Sequence, residues 1–174
     1  MQKFILNITN EDVALIDDAN LECFCVDSSI NDEVITRLRD KIHSLNKIIL
    51  AIGDNACDAC QKFNLDGVIV DLSASTHCAK DINYTRKLIG DKFLGVISRN
   101  RRHEAMLFSE CEPDFLIFKA WTQGIEKIQE LVSWYNEMFL IQSAVILEEP
   151  KIDGKSFDCD IIIGNLDDYK NFCC

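Results

Sequence analysis

Proline and glycine are scarce in this chain, 2 and 7 residues of 174. Neither a proline-rich linker nor a collagen-like repeat can be built from so few. Cations are also short: 18 Lys and Arg face 29 Asp and Glu, a formal charge of −11. Nucleic acids and anionic lipid both call for Lys and Arg against phosphate, so neither partner is expected. No apolar run approaches the ~18 residues of a membrane span. The start, MQKFILNITNEDVALIDD, holds one Lys where a signal peptide needs a basic n-region, an apolar stretch and a small-residue cleavage site. A soluble, cytoplasmic protein is expected.

What is present fits a globular domain. Apolar residues make up 48% and charged residues 27%, close to globular averages. The length matches one domain over residues 1–174, since a domain averages ~150 residues. Nine cysteines are an odd number, several of them inside apolar runs such as Leu21 to Val26, and in a reducing compartment they read as small hydrophobes. Cys57-Asp58-Ala59-Cys60 alone has metal or redox spacing. A zinc site wants four ligands, and no second pair supplies the other two.

Short, near-continuously apolar runs recur at Phe4–Ile8, Glu22–Val26, Lys47–Ile52, Gly67–Leu72, Phe93–Ile97, Asp114–Phe118, Phe139–Leu147 and Asp160–Ile163. Parallel strands buried on both faces look like this. Between them, Asn31–Leu45 and Gly124–Glu137 carry apolar stripes of helical period. Asn100–Glu112 is a shorter helix ended by Pro113, and Asn55 is the expected N-cap of Ala56–Phe63. Eight such strands favour a closed barrel over an open doubly wound sheet, although a barrel usually needs roughly 200 residues. The shortage falls at Thr9–Leu21 and Glu148–Phe157, too short for long crossover helices. The expected fold is a compact TIM-type (β/α)8 parallel barrel with shortened or missing helices. Apolar surface left bare at the short helices would favour a homodimer.

Two segments carry a family resemblance. KIILAIGDNACDACQKFNLDGVIVDL (Lys47–Leu72) resembles the third strand, helix and fourth strand of thiamine phosphate synthases, with their Asn-Asp-Arg turn and Ala-Asp-Gly-Val-His-Leu strand. RNRRHEAMLFSECEPDFLIFK (Arg99–Lys119) resembles a divergent branch with Arg-His-x-Ala, a helix, then Pro-Asp-Tyr and an apolar strand. The resemblance implies a TIM-type barrel and a transferase that joins an aminopyrimidine diphosphate to a thiazole phosphate. Mg²⁺ and cationic side chains would stabilise the departing diphosphate. A related branch holds thiazole tautomerases, which do without the metal.

Each strand end can be set against that pattern, because barrel sites lie at the carboxyl ends of the strands. After the second strand, Cys23-Phe24-Cys25-Val26-Asp27-Ser28 has none of the cations of the family's Gln-x-Arg-x-Lys set. After the third, Asp54 keeps the carboxylate implied for Mg²⁺, while Asn55 replaces the arginine. The second metal carboxylate falls near Ala74, and Asp71 is the nearest acid. Ile97-Ser98-Arg99 lacks the tautomerase histidine, and of the Thr-x-Thr-Lys stretch Lys119 and Thr122 remain nearby. The Gly-Gly turn that would offer N–H groups to a phosphate reads Leu147-Glu148-Glu149-Pro150. Like charges ~4 Å apart at an effective dielectric of ~20 repel by about 4 kcal/mol, roughly a thousandfold in binding. Gly164-Asn165 can still open a helix N-terminus with N–H groups for phosphate.

Arg99, Arg101, Arg102 and His103 form the dense basic patch of this acidic chain. It reads as an anion site at a helix N-terminus or, more plainly, as arginines paired with acids such as Glu104 or Asp91. His103 as a general base is disfavoured, since its helical position turns it outward. Asp54, Asp71 and Asp27 would make a hard-cation site for Mg²⁺, or are solvated loop acids. Trp121 and Phe118 would stack on a heteroaromatic ring if they are not simply packed. The phosphate-binding candidates are therefore Arg99, Arg101, Arg102, Lys119, Gly164 and Asn165, and the metal candidates Asp54 and Asp71. Two functions compete. One is a divergent Mg²⁺-dependent synthase acting on a small phosphorylated heteroaromatic ligand. The other is a catalytically inactive member that binds a phosphorylated ligand or another protein. A third class, a zinc or redox protein, rests on Cys57 and Cys60 alone.

Overall fold

The computed structural model describes residues 2–174. Eight strands form one closed, all-parallel ring in chain order: β1 (Lys3–Asn7), β2 (Cys23–Asp27), β3 (Ile48–Ile52), β4 (Gly67–Asp71), β5 (Phe93–Ile97), β6 (Phe115–Ala120), β7 (Gln142–Leu147) and β8 (Ile161–Gly164). Closure is explicit, with β1 paired to β8 through Lys3↔Ile161 to Leu6↔Gly164. An open sheet is thereby excluded. Six helices cover the ring: α1 (Asp32–Ser44), α2 (Ala56–Phe63), α3 (Cys78–Ile89), α4 (Arg102–Ser109), α5 (Ile125–Met138) and α6 (Leu166–Cys173). The first and seventh connections hold only 3-10 turns, Asn10–Asp17 and Gly154–Ser156, where the sequence was shortest.

Alternation along each strand divides its side chains between two cores. Ile5, Cys25, Leu50, Ile69, Ile97, Ile117, Ala144 and Ile163 fill the ring's interior with Phe115 and Ile161. Residues of the opposite face, such as Leu6, Phe24, Ile49, Val68, Val96, Phe118, Val145 and Ile162, pack against the helices. α1 shows why the helices dock: Ile35, Leu38 and Ile42 are buried on one stripe. Asn31 accepts a hydrogen bond from Glu33 N, Asp32 and Glu33 open the first turn, and Lys41 and His43 close the last, each placed to suit the helix dipole.

At the amino-terminal face one device recurs three times. Asp66, Asp114 and Asp160 stand just before β4, β6 and β8, and each carboxylate accepts from a backbone N–H of the preceding strand: Ile49 (2.9 Å), Leu94 (2.7 Å) and Ser143 (2.9 Å). Each Asp backbone N–H donates to the carbonyl of that same residue. The chain thus repeats in strand pairs, and the repeat satisfies donors that would otherwise be orphaned at the strand starts.

Three expectations are not met in detail, the first being that α4 is shorter at both ends than Asn100–Glu112. β7 begins at Gln142 rather than Phe139, because the Phe139 ring is drawn 4.8 Å from Tyr135 in a stacked pair and stays in the turn after α5. Asn55 makes no side-chain cap on α2. Its backbone N–H instead donates to Ser28 Oγ at 3.3 Å. Among the described residues no helix is long and apolar enough to cross a membrane.

Candidate functional site: the carboxyl-terminal mouth

Extending the inward alternation to the carboxyl ends of the strands places Asn7, Asp27, Ile52, Asp71, Ile97, Lys119 and Ile146 around the mouth. Two of the charged residues meet. Lys119 Nζ lies 2.5 Å from Asp71 Oδ2, so β6 reaches across Ile97 of the intervening β5 to β4. The Lys119 side chain is only 22% exposed and that of Asp71 43%. Ser73 N also donates to Asp71 Oδ1 at 3.0 Å. Burial pushes the Asp71 carboxyl up, but the hydrogen bonds from Lys119 and Ser73 and the Lys119 charge outweigh it and hold the group below its ordinary range. Lys119 is also pinned through its backbone: Asn100 Nδ2 donates to its carbonyl at 2.6 Å, and its own N–H donates to Asn100 Oδ1 at 3.2 Å. A metal candidate and a phosphate candidate have become partners.

The arginines do not converge. Arg99 donates from Nε to Ser73 O at 2.5 Å, which lays it along the rim toward the loop after β4. Arg99 and Arg101 share Glu104 at 4.0 and 3.8 Å, the surface pairing that was the plainer reading. Arg102 turns away altogether, with its guanidinium 4.9 Å from the centre of the Trp134 ring on α5. Arg99 and Arg101 precede α4 and Arg102 opens it, so the three side chains leave the backbone in different directions and reach different partners. His103 is exposed on α4.

The backbone donor at Asn165 is already met by the chain's own acid. At the start of α6, Asn165 Oδ1 accepts from Asp167 N and Asp168 N, while Asp168 Oδ2 accepts from Asn165 N at 2.9 Å. Asp168 is 4% exposed and folds back over Gly164, where an added Cβ would come within 2.8 Å of its carboxylate. Burial pushes its pKa up, consistent with a group held in place by packing as much as by charge. In the turn after β7, Glu149 Oε2 accepts from Thr122 N at 2.9 Å, and the hydrogen bonds from Thr122 hold that carboxyl below its ordinary value. Expected phosphate donors at Gly164-Asn165 thus face a built-in carboxylate.

The residues do not fit Mg²⁺. Asp54 is exposed in the loop after β3, Asp27 accepts from Ser29 N at 2.8 Å, and Asp71 is held by Lys119. Among the described residues no three His, Cys, Asp or Glu side chains group as they would around a metal. Cys57 and Cys60 join no such group either, and burial pushes both thiols up, away from the reactive thiolate. Phe118 faces the helices, edge-on to Tyr135 at 5.3 Å, and is no stacking platform. Trp121 is 40% exposed beside the mouth. Asn100 and Asp168 were missed as positioning groups. Asn165-Leu166-Asp167-Asp168 is a legible capping box, whereas nothing local marks Asn100.

No protein-family model matches the sequence, and neither does any curated protein. Solved structures do. A tryptophan synthase from M. tuberculosis superposes with a TM-score of 0.67 at 8% identity, over 94% of this chain and 82% of its own. An orotidine 5'-monophosphate decarboxylase from Methanocaldococcus jannaschii gives 0.56 at 12% identity, over 98% and 94%. A 3-keto-L-gulonate-6-phosphate decarboxylase from Vibrio cholerae gives 0.56 at 12% identity, over 94% and 87%. Together with ring closure this defines the class: a TIM-type (β/α)8 barrel. At such identities the likeness is one of fold, and it carries no function with it.

Proposed function

We propose that this chain is a divergent thiamine phosphate synthase-like barrel that has lost the coupling reaction and keeps its mouth as a binding site for a small phosphorylated molecule. The observation that carries the reading is the Asp71–Lys119 pair at 2.5 Å. It joins the carboxylate a metal would need to the cation a diphosphate would need. The internal carboxylates of Glu149, on Thr122 N, and Asp168, on Asn165 N, support it. A departing diphosphate needs charge stabilisation that is in place beforehand. Here the Lys119 charge is spent inside the protein, and Arg99 is the cation left at the rim to meet a ligand.

The decisive assay supplies both synthase substrates with Mg²⁺ and follows pyrophosphate. None is expected even with protein in excess over substrate, and catalytic release would refute the loss. Binding is tested separately by thermal unfolding in inorganic phosphate, since a ligand that binds only the folded state raises Tm. The shift is expected to disappear in Arg99→Ala and to persist in Arg102→Ala, whose guanidinium lies on Trp134. Equal loss in both variants, or no shift in the parent, would return these arginines to ordinary surface.

A further inference from the structure

We propose that the outer face of α4 and α5 is the contact through which two copies of this chain pair about a two-fold axis. It lies in the helical layer, away from the mouth, so it holds whether or not the mouth binds a ligand. The face is an open groove of about 680 Å³, to which α4 brings Arg102 and α5 brings Glu126, Glu130, Trp134 and Glu137. The glutamates recur at intervals of four and seven residues, which sets them on one stripe of α5, and all three are exposed. Arg102 is seated over the Trp134 ring, 4.9 Å from its centre, in a cation–π contact. Neither Arg102 nor any of the three glutamates joins an ion pair among the described residues. α4 and α5 run the same way, as helices between parallel strands must. One turn beyond Arg102 and Trp134 therefore brings Met106 and Met138 level, 44% and 63% exposed. Trp, Met and Arg are the residues that interfaces concentrate, and an arginine already seated has less freedom to lose on association.

Charge decides the occupant. Two copies of a chain of net charge −11 repel over most of their surface, so they can meet closely only where cations are on offer. The edge of α4 supplies them: Arg101 stays 71% exposed beside Glu104, and the exposed Arg102 and His103 follow it. A wholly basic partner would be held off by that edge, and an acidic one by the α5 stripe. A second copy offers both signs. Turned about a two-fold axis, its acidic stripe faces the first copy's basic edge and its basic edge faces the first copy's stripe. Such a contact is isologous, and each pairing occurs twice. Trp134, Met106 and Met138 supply the apolar surface to be buried. α5 has 14 residues, about 21 Å of helix. Two neighbouring helices of that length bury less than the roughly 800 Å² per partner of a standard interface, so the dimer is a weak one.

Sedimentation equilibrium over a range of concentrations tests the pairing. The parent is expected to pass from monomer to dimer at about 10–100 µM, as suits a small interface. Arg102→Glu and Glu130→Arg should each weaken dimerisation at least about tenfold, because the like-charge contact enters twice. Mixed one to one, the two variants should dimerise with each other as the parent does, since each restores the pairing the other lost. Lys87→Glu, exposed on α3, makes the same change in net charge as Arg102→Glu and should leave dimerisation unchanged. Unfolding temperatures check that every variant is folded. A parent that is monomeric at about 1 mM, a dimer that survives both reversals, or a mixture that stays monomeric overturns the inference. A monomer that instead takes up octa-arginine, with uptake abolished in Glu130→Arg, overturns it in favour of a basic partner on the same face.

Discussion

Gly95→Ala is expected to destabilise the barrel by about 2–4 kcal/mol, read as a lowered urea midpoint at constant m-value. Gly95 lies opposite Phe115 in the β5–β6 register. The Phe115 ring leans into the space a side chain would take, so that an added Cβ would meet Cε2 and Cζ at 2.4 Å. Real Cβ contacts are never that close, and interiors at crystal-like density leave the ring little room to retreat. Because the ring is the obstacle, Phe115→Leu should recover much of the loss in the Gly95→Ala background while costing stability by itself. That non-additivity is what direct contact predicts. Gly124 is the control: nothing lies within 4 Å of its added Cβ, so Gly124→Ala should cost only the strain of its φ of +77°, about 1 kcal/mol. Equal losses at the two sites would rule out the packing explanation.

Tyr135→Ala should cost about 3–5 kcal/mol, and Tyr135→Phe only about 1 kcal/mol. The ring is fully buried between Phe118, met edge-on at 5.3 Å, and Phe139, stacked at 4.8 Å. Alanine would leave a cavity where β6 meets α5. The hydroxyl is a smaller matter. It lies 2.8 Å from Ser109 Oγ, and Ser109 keeps the Ala105 carbonyl as acceptor when the phenol is removed. Burial pushes the Tyr135 phenol up, so the fold favours its neutral form. The stabilisation is therefore complete below the phenol's ordinary pKa of about 10 and is lost as pH rises through the elevated folded value. Tyr135→Phe should consequently show a shallower alkaline decline of Tm than the parent. A steeper one would contradict the direction of this shift.

Asp71 has the opposite sign. Its carboxyl is held below the ordinary range, so its contribution is present above about pH 4 and fades as pH falls through the lower folded value. Its partly exposed setting and the solvent around it keep that contribution modest.

Much of the architecture was legible because it is written locally. Apolar runs such as Lys47-Ile48-Ile49-Leu50-Ala51-Ile52, bounded by polar turns, can only be satisfied with both faces covered. The stripe Ile35, Leu38 and Ile42 fits one helix face. The thin stretches at Thr9–Leu21 and Glu148–Phe157 revealed where helices would shrink, since a helix of a few residues cannot repay its nucleation. Phe139 misled the boundary of β7 because its apolar character suits a strand and a ring stack equally. A pairwise contact with Tyr135 decided between them.

The mouth was read as an inventory of charges, and the run Cys23–Ser28 at the end of β2 carries no cation. Sequence alone determined the eight strands, the short first and seventh connections and the acidic balance, since each follows from hydrophobic period, segment length and residue count. The tertiary structure alone decided that Asp71 meets Lys119 across β5, that Arg102 lies on Trp134, and that Asp168 fills the start of α6. Strand-end partners are set by the register of a closed ring and by which way each side chain leaves its backbone, and these depend on residues tens of positions apart, beyond the reach of any local pattern.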